Sequence, residues 1–289
     1  MFEPRLTESP LRWAGGKRWL AHGIRAIAGV LEITTYVEPF AGGASVFFST
    51  DWPNPVLGDA NATLMSCYAG LVMDAGAVAD KLRGLTVDRD TYNSLRDSAP
   101  TSCVDEAVRL LYLNRIGFSG LYRENARGHF NVPYGGDRTL APLLRPQRLD
   151  SAAEALRTAI LRTQSFEETI SQSPADALIY CDPPFVTEGS SGDFARYHSS
   201  AFSFAGQISL SDSLRARVDA GALAVVSNTV DPGVARLYPD SELVKVERKR
   251  RFGRQARLVT EGIYVLHSDP PFRAKIAHIL EKSLLGGSL

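Results

Sequence analysis

Cysteine, net charge and a glycine signature for nucleotides are what this 289-residue sequence has least of. Its three cysteines, Cys67, Cys103 and Cys181, stand in no CxxC pair. That excludes a disulfide framework and a zinc site as organising principles. Basic and acidic residues balance at 32 each, so no global field draws the chain to a polyanion. The N-terminus MFEPRLTESP has no apolar signal core, and no apolar run approaches the ~20 residues that span a bilayer. The expectation is a cytoplasmic protein with no membrane partner. GxGxxG, wanted by a nicotinamide enzyme, is absent. Trp13-Ala-Gly-Gly-Lys17 lacks the spacing of a GxxxxGK(S/T) phosphate loop and follows no strand, so taken alone Lys17 reads equally as a surface lysine.

What is present starts with length and pattern. The chain is long enough for about two domains, and 44% hydrophobic content supports a sizeable core. Leu20, Ile24, Ile27 and Leu31 mark one face of a helix over about 18–31. A strand, TYVEP, then leads into the small-residue turn Phe40-Ala-Gly-Gly-Ala44, and a second, PVLGD, ends at Asp59. From about Ala62 to Ala99 the pattern is helical, with Leu64, Cys67, Tyr68 and Leu71 on one face, until Pro100 breaks it. A further helix carries Val104, Val108 and Leu111, and a polar, Gly-rich stretch follows from Asn114 to Asp137. Short β-branched runs resume at 159–164, 177–182, 222–228, 242–248 and 261–266, the last two joined as an antiparallel hairpin. The expected architecture is a mostly parallel α/β sheet with one terminal antiparallel pair. Residues 67–157 fit strand–helix alternation poorly and read as an inserted domain between 1–66 and 158–289.

Charge balance conceals a cluster. Lys245–Arg257 holds seven basic residues with Glu247 as the one acidic neighbour. A solvated hairpin tip is the plain reading, and a phosphate-contacting hairpin using Arg250, Arg251 and Arg254 is the functional one.

The chemistry is carried by Asp182-Pro-Pro-Phe185 at the end of the strand ALIYC. An exocyclic aromatic amine is a weak nucleophile because its lone pair is delocalised into the ring. Two acceptors aimed at its N–H groups favour a pyramidal nitrogen with a freer lone pair. The Asp182 carboxylate and the Pro183 carbonyl can be those acceptors, with Pro183 and Pro184 fixing the backbone and Phe185 offering a face for an extruded base. Transfer is then direct, with no metal. In the donor half, the small turn at Gly42 permits close backbone approach, and Asp59 can accept from ribose hydroxyls. A second Asp269-Pro-Pro-Phe272 follows the strand of the terminal hairpin. It is expected to open a helix, with Pro271 stopping that strand.

Together these blocks resemble the Dam-type, D12-class family of DNA adenine-N6 methyltransferases, nearly over the whole chain to about Leu266. The blocks, in the family's order, are LRWAGGK (11–17), VEPFAGGASVFF (37–48), LGDAN (57–61), NRIGFSGLYRENARGHFNVPYG (114–135) and IYCDPPF (179–185), then FARYHSSAFS (194–203). The resemblance implies a Rossmann-like methyltransferase sheet with S-adenosylmethionine as methyl donor. It implies an inserted, mainly helical target-recognition domain at 67–157, and base flipping in duplex DNA. Trp13, Lys17, Asp59 and Asp182 would contact the donor, and Phe40 would line its pocket. Phe118 would insert into the DNA stack; Leu121, Arg123, Asn125 and Pro133 would face the target, with Arg123 on a guanine. Such blocks commonly go with GATC. Three positions depart from the family's usual residues: Ala44 stands where a glycine is usual, Ser119 where Asn is typical, and Phe185 where Tyr is commoner.

Other readings set bounds. Phe118 could be ordinary core, and Cys181 a small core residue. A C5-cytosine enzyme needs a cysteine nucleophile, usually after proline, but Ser66, Ser102 and Tyr180 precede the cysteines. The catalytic motif suits the N4 of cytosine as well as the N6 of adenine. A catalytically silent DNA-binding relative is the alternative from another class. The expected partner is double-stranded DNA and the expected state a monomer.

Overall fold

The structure, a computed structural model, describes residues 7–31, 33–125, 128–136, 138–184, 202–252 and 255–284, without side chains at 249–252 and 255–257. Phe185, Arg254 and residues 194–201 lie outside the described residues, as do the side chains of Arg250 and Arg251. The fold is the expected one: a mostly parallel seven-stranded α/β sheet with a terminal antiparallel hairpin. Two compact units are distinguished, one of residues 22–40 with 165–289, the other of 2–21 with 41–164.

In the first unit, β1 (Tyr36–Glu38), β4 (Leu178–Cys181) and β5 (Leu223–Thr229) run parallel, with Tyr36 beside Leu178 and Cys181 beside Val226. β4 is buried at every position and β5 at all but its last. That is why both read as continuous apolar runs without alternation. β7 (Gln255–Leu266) lies antiparallel to β5, and β6 (Glu242–Phe252) antiparallel to β7, so the expected hairpin is present. Its arms extend well past the apolar runs, with pairing continuing to Phe252 and Gln255. Helices α1 (Ala21–Val30), α6 (Phe166–Ser171), α7 (Phe204–Asp219), α8 (Pro232–Leu237) and α9 (Pro270–Leu284) complete this unit. Leu20, Ile24 and Ile27 are fully buried, as their spacing predicts, whereas Leu31, expected on the same face, follows the end of α1 and is half-buried.

In the second unit, β2 (Val56–Asp59) and β3 (Ile160–Thr163) pair in parallel beside α2 (Ala62–Arg83), α3 (Arg89–Asp97), α4 (Cys103–Ile116) and α5 (Arg148–Arg157). Residues 67–157 fall wholly within it. The single helix expected over 62–99 is two. Gly84 closes α2, its N–H donating to the Asp80 carbonyl, and Asp88 opens α3 by accepting from the Thr91 N–H at 2.7 Å. These cap signals sit within a stretch whose residue types are otherwise helix-compatible, so periodicity alone overruns them. α2 departs from the expectation that no apolar run approaches bilayer-spanning length, because it is long and apolar enough by composition to cross a membrane. Leu64, Cys67, Tyr68 and Leu71 on it are fully buried. It packs against α4 and α5, so its apolar length serves a core.

Candidate active site

The strand end at Asp182 is built from the first unit alone. β4 and β5 run side by side, so the residues that follow Val226 face the turn that follows Cys181. Ser227 Oγ donates to Asp182 Oδ1 at 2.7 Å and lies 3.3 Å from the Tyr180 hydroxyl. One step on, Asn228 Nδ2 donates to Gln207 Oε1 at 3.0 Å, and Gln207 Nε2 donates to the Pro184 carbonyl at 3.3 Å. Gln207, Ser227 and Asn228 are fully buried. A buried polar group without a partner costs about 1–3 kcal/mol, so each side chain is held by the bonds it makes. The result is a Pro-Pro turn with Asp182 gripped on one side and the Pro184 carbonyl on the other. Among the described residues nothing donates to the Pro183 carbonyl, which leaves it available as an acceptor. The sequence reading missed Gln207, Ser227 and Asn228. The one signal was a Ser-Asn pair closing an otherwise apolar strand. In the same unit, Phe40 stacks on Phe166 at 5.0 Å and meets Phe202 edge-on at 5.5 Å.

The turn residues from Ala41 onward belong to the second unit and are held within it. The Ala41 N–H donates to the Gly58 carbonyl at 2.9 Å, which ties the turn to β2. Asp59 then divides its carboxylate: Oδ2 accepts from the Gly42 N–H and Oδ1 from the Asn61 N–H, both at 2.9 Å. Burial raises its pKa, and the two backbone donors partly offset this. Each oxygen keeps a second lone pair for a further donor. Trp13 lies across the turn so closely that a Cβ on Gly42 would sit 2.8 Å from its indole nitrogen, and one on Gly43 would sit 2.6 Å from its Cβ. The indole stacks on Tyr122 with centroids 5.0 Å apart. The Tyr68 hydroxyl donates to the Gly42 carbonyl at 2.6 Å. Lys17 is no surface lysine. It is only 2% exposed, its Nζ donates to the Gly15 carbonyl at 3.0 Å, and its own N–H donates to Ser45 Oγ at 2.8 Å.

The block 114–135 is a short antiparallel excursion, with bridges Gly117–Tyr134 and Glu124–Phe130. Phe130 and Val132 are its buried anchors, and the Val132 carbonyl accepts from the buried Tyr92 hydroxyl at 2.8 Å. Phe118, at 55% exposed, is not core. Leu121, Arg123, Asn125 and Pro133 are exposed as well. All five residues singled out from the sequence therefore face solvent. Arg123 is not loose. Its Nε donates to Asn131 Oδ1 at 2.7 Å and its Nη2 to the Asn131 carbonyl at 3.1 Å, which orients the guanidinium from one edge. Asn125 Oδ1 accepts from the His129 N–H at 3.1 Å. Ser119 carries φ +56°, a left-handed conformation.

Residues 13–252 match the family model for "D12 class N6 adenine-specific DNA methyltransferase". The chain belongs to that family. It is similar to a DNA adenine methylase of Vibrio cholerae serotype O1, 31% identical over 84% of this chain and 89% of the relative. A DNA adenine methylase of Salmonella typhi is 33% identical over 83% of this chain and 87% of the relative. A type II methyltransferase of Lactococcus lactis subsp. cremoris is 28% identical over 84% and 88%.

The remaining features of this adenine-specific DNA methyltransferase fit around that assignment. The second Asp-Pro-Pro-Phe opens α9: Asp269 Oδ1 accepts from the Phe272 N–H at 3.4 Å, and the Asp269 carbonyl accepts from the Arg273 N–H at 2.9 Å. Pro270 and Pro271 fill the first helical turn, where missing N–H groups cost nothing. Pro271 does not stop the strand, because β7 has already ended at Leu266. Cys67 and Cys181 are buried, and burial pushes both thiols up. That opposes the thiolate a C5-cytosine enzyme requires.

Proposed function

We propose that this methyltransferase transfers a methyl group from S-adenosylmethionine to the N6 of an adenine flipped out of duplex DNA, with GATC as target. The observation that carries the reading is the Asp182-Pro-Pro turn held by Ser227 and Gln207 at the end of a buried parallel strand. Asp182 and the Pro183 carbonyl accept from the two N–H groups of the amine, and Pro184 fixes the turn. Phe185, outside the described residues, stacks on the base. Preorganised acceptors are effective because they need no rearrangement as charge develops.

When bound, S-adenosylmethionine supplies an electrophilic methyl group on a sulfonium. Trp13, Lys17, Phe40, Gly42, Asp59 and Asp182 are the residues that would hold it. Support comes from the spare acceptor capacity of Asp59 and from a turn that admits no side chain at Gly42. Residues 67–157 form the target-recognition domain and the rest the catalytic one. Phe118 enters the stack, Leu121, Asn125 and Pro133 line the target, and Arg123 reads guanine. Arg250, Arg251 and Arg254 contact phosphates. The enzyme works as a monomer on DNA in the cytoplasm, apart from membranes.

The test is sequencing of DNA exposed to the enzyme and S-adenosylmethionine, with detection of modified bases. N6-methyladenine confined to GATC is expected. N4-methylcytosine would overturn the chemistry, and N6-methyladenine at another motif would overturn the target alone.

A further inference from the structure

The second unit holds a cavity of about 360 Å³ whose walls include Arg12, Arg115, Arg145 and Arg148, with Glu8 and Pro142. Arg115 stands in the last turn of α4 and is only 7% exposed. Its guanidinium makes no hydrogen bond or ion pair among the described residues. The residue is mostly buried, but its guanidinium nitrogens are not among the sealed, unpartnered atoms. They open onto the cavity as a cation with no counter-charge beside it, which favours an anion there. The side chains of Arg12 and Arg145 likewise have no such partner among the described residues. Arg148 gives Nη1 to Glu8 at 3.1 Å and Nη2 to the Ser9 carbonyl at 3.0 Å, yet its Nε is buried with no acceptor.

The one carboxylate in the wall does not resolve this. Glu8 is shared between Arg18 and Arg148, and the Arg18 bond, then the Arg148 bond, hold its pKa down. The wall is also built rather than incidental. Asn114, buried beside Arg115, clamps the backbone of Arg12 from both sides: its Oδ1 accepts from the Arg12 N–H and its Nδ2 donates to the Arg12 carbonyl, each at 2.8 Å. Burial, and then the charges of Arg12, Arg148, Arg145 and Arg138, push Arg115 down to about 10. It is still a cation at neutral pH.

We propose that this arginine-walled cavity is a phosphate-binding site. A tetrahedral phosphate presents several acceptors around one centre and matches converging guanidinium forks better than a single carboxylate does. The phosphate is either the phosphodiester of a DNA strand or a free phosphate. Only the first source rests on the DNA-binding reading above.

The experiment uses the full chain as wild type, Arg115→Gln and Arg145→Gln. Melting is compared in chloride and in inorganic phosphate at equal ionic strength, and duplex affinity is measured against salt. In chloride, Arg115→Gln is expected to melt at or above wild type, since it removes one of several neighbouring cations that repel each other. Phosphate should then raise the wild-type melt and leave both variants behind, if the site takes free phosphate. If it takes a strand phosphate, each variant should lower the slope of log K against log salt by about one unit, equally on all sequences. Either result supports the site and names its source. The proposal is overturned if wild type and Arg145→Gln, an exposed position that is safe to change, respond alike in both arms. A melt of Arg115→Gln far below wild type in chloride also overturns it, by showing a structural partner. Absence of any wild-type affinity for DNA would defeat the DNA reading and leave the phosphate arm standing.

Discussion

The strand end at Asp182 and the block at 114–135 solve opposite problems. The first is dry: Ser227, Asn228 and Gln207 are fully buried, and each spends its polar atoms on a neighbour. The second is wet: Phe118 and Leu121 are exposed, while Phe130 and Val132 are buried anchors of the excursion. Chemistry on an amine depends on acceptors held to fractions of an ångström. Reading a sequence depends on side chains that can reach base edges. A change in the buried network should therefore alter rate, and a change on the exposed block should alter preference.

The largest break is Asp182→Ala, which should lower single-turnover transfer at least several hundredfold and keep a cooperative thermal melt. Activity within tenfold of wild type would remove Asp182 from the chemistry. Next comes the joint replacement of Arg250, Arg251 and Arg254 by Gln. Its expected effect is a fall of about three units in the salt slope of duplex binding, with no change in sequence preference. An unchanged slope would mark Lys245–Arg257 as a solvated tip. Arg123→Ala should cost about 1–3 kcal/mol on the preferred site and relax one base pair alone. Equal weakening on every duplex would make Arg123 a backbone contact.

The smallest effects sharpen the comparison. Ala44, at φ +47°, and Ser119, at φ +56°, both sit in left-handed backbone. Glycine adopts this conformation without strain, and Asn tolerates it better than Ser. Ala44→Gly and Ser119→Asn should each stabilise the protein by about 0.5 kcal/mol, read as a shift in the denaturation midpoint. Destabilisation by either would show that neighbours had adapted to the resident side chain.

The same contrast governs what could be read in the sequence. Buried strands and the faces of α1 and α2 were legible because apolar spacing reports burial directly. The Asp182 motif and the Phe40–Ala44 turn were legible because their residues are contiguous. Gln207 and Ser227 were not, since a polar residue carries no spacing signal and their meaning comes from β5 lying beside β4. The burial of Lys17 was hidden for a similar reason: it depends on Gly15 and Ser45, contacts that no local pattern announces. The arms of the terminal hairpin extend beyond expectation because backbone pairing there, at positions such as Lys249–Leu258 and Arg250–Arg257, needs no apolar alternation. Arg12, Arg115, Arg145 and Arg148 are scattered across 137 positions, and only folding collects them.

The most direct test of separate chemistry and reading is single-turnover methyl transfer by Asp182→Ala across GATC and duplexes changed at each base pair in turn. The account predicts that transfer falls by one common factor on all of them, with the ranking of sites by binding affinity unchanged. A ranking that changes with Asp182→Ala, or a loss confined to GATC, would contradict it.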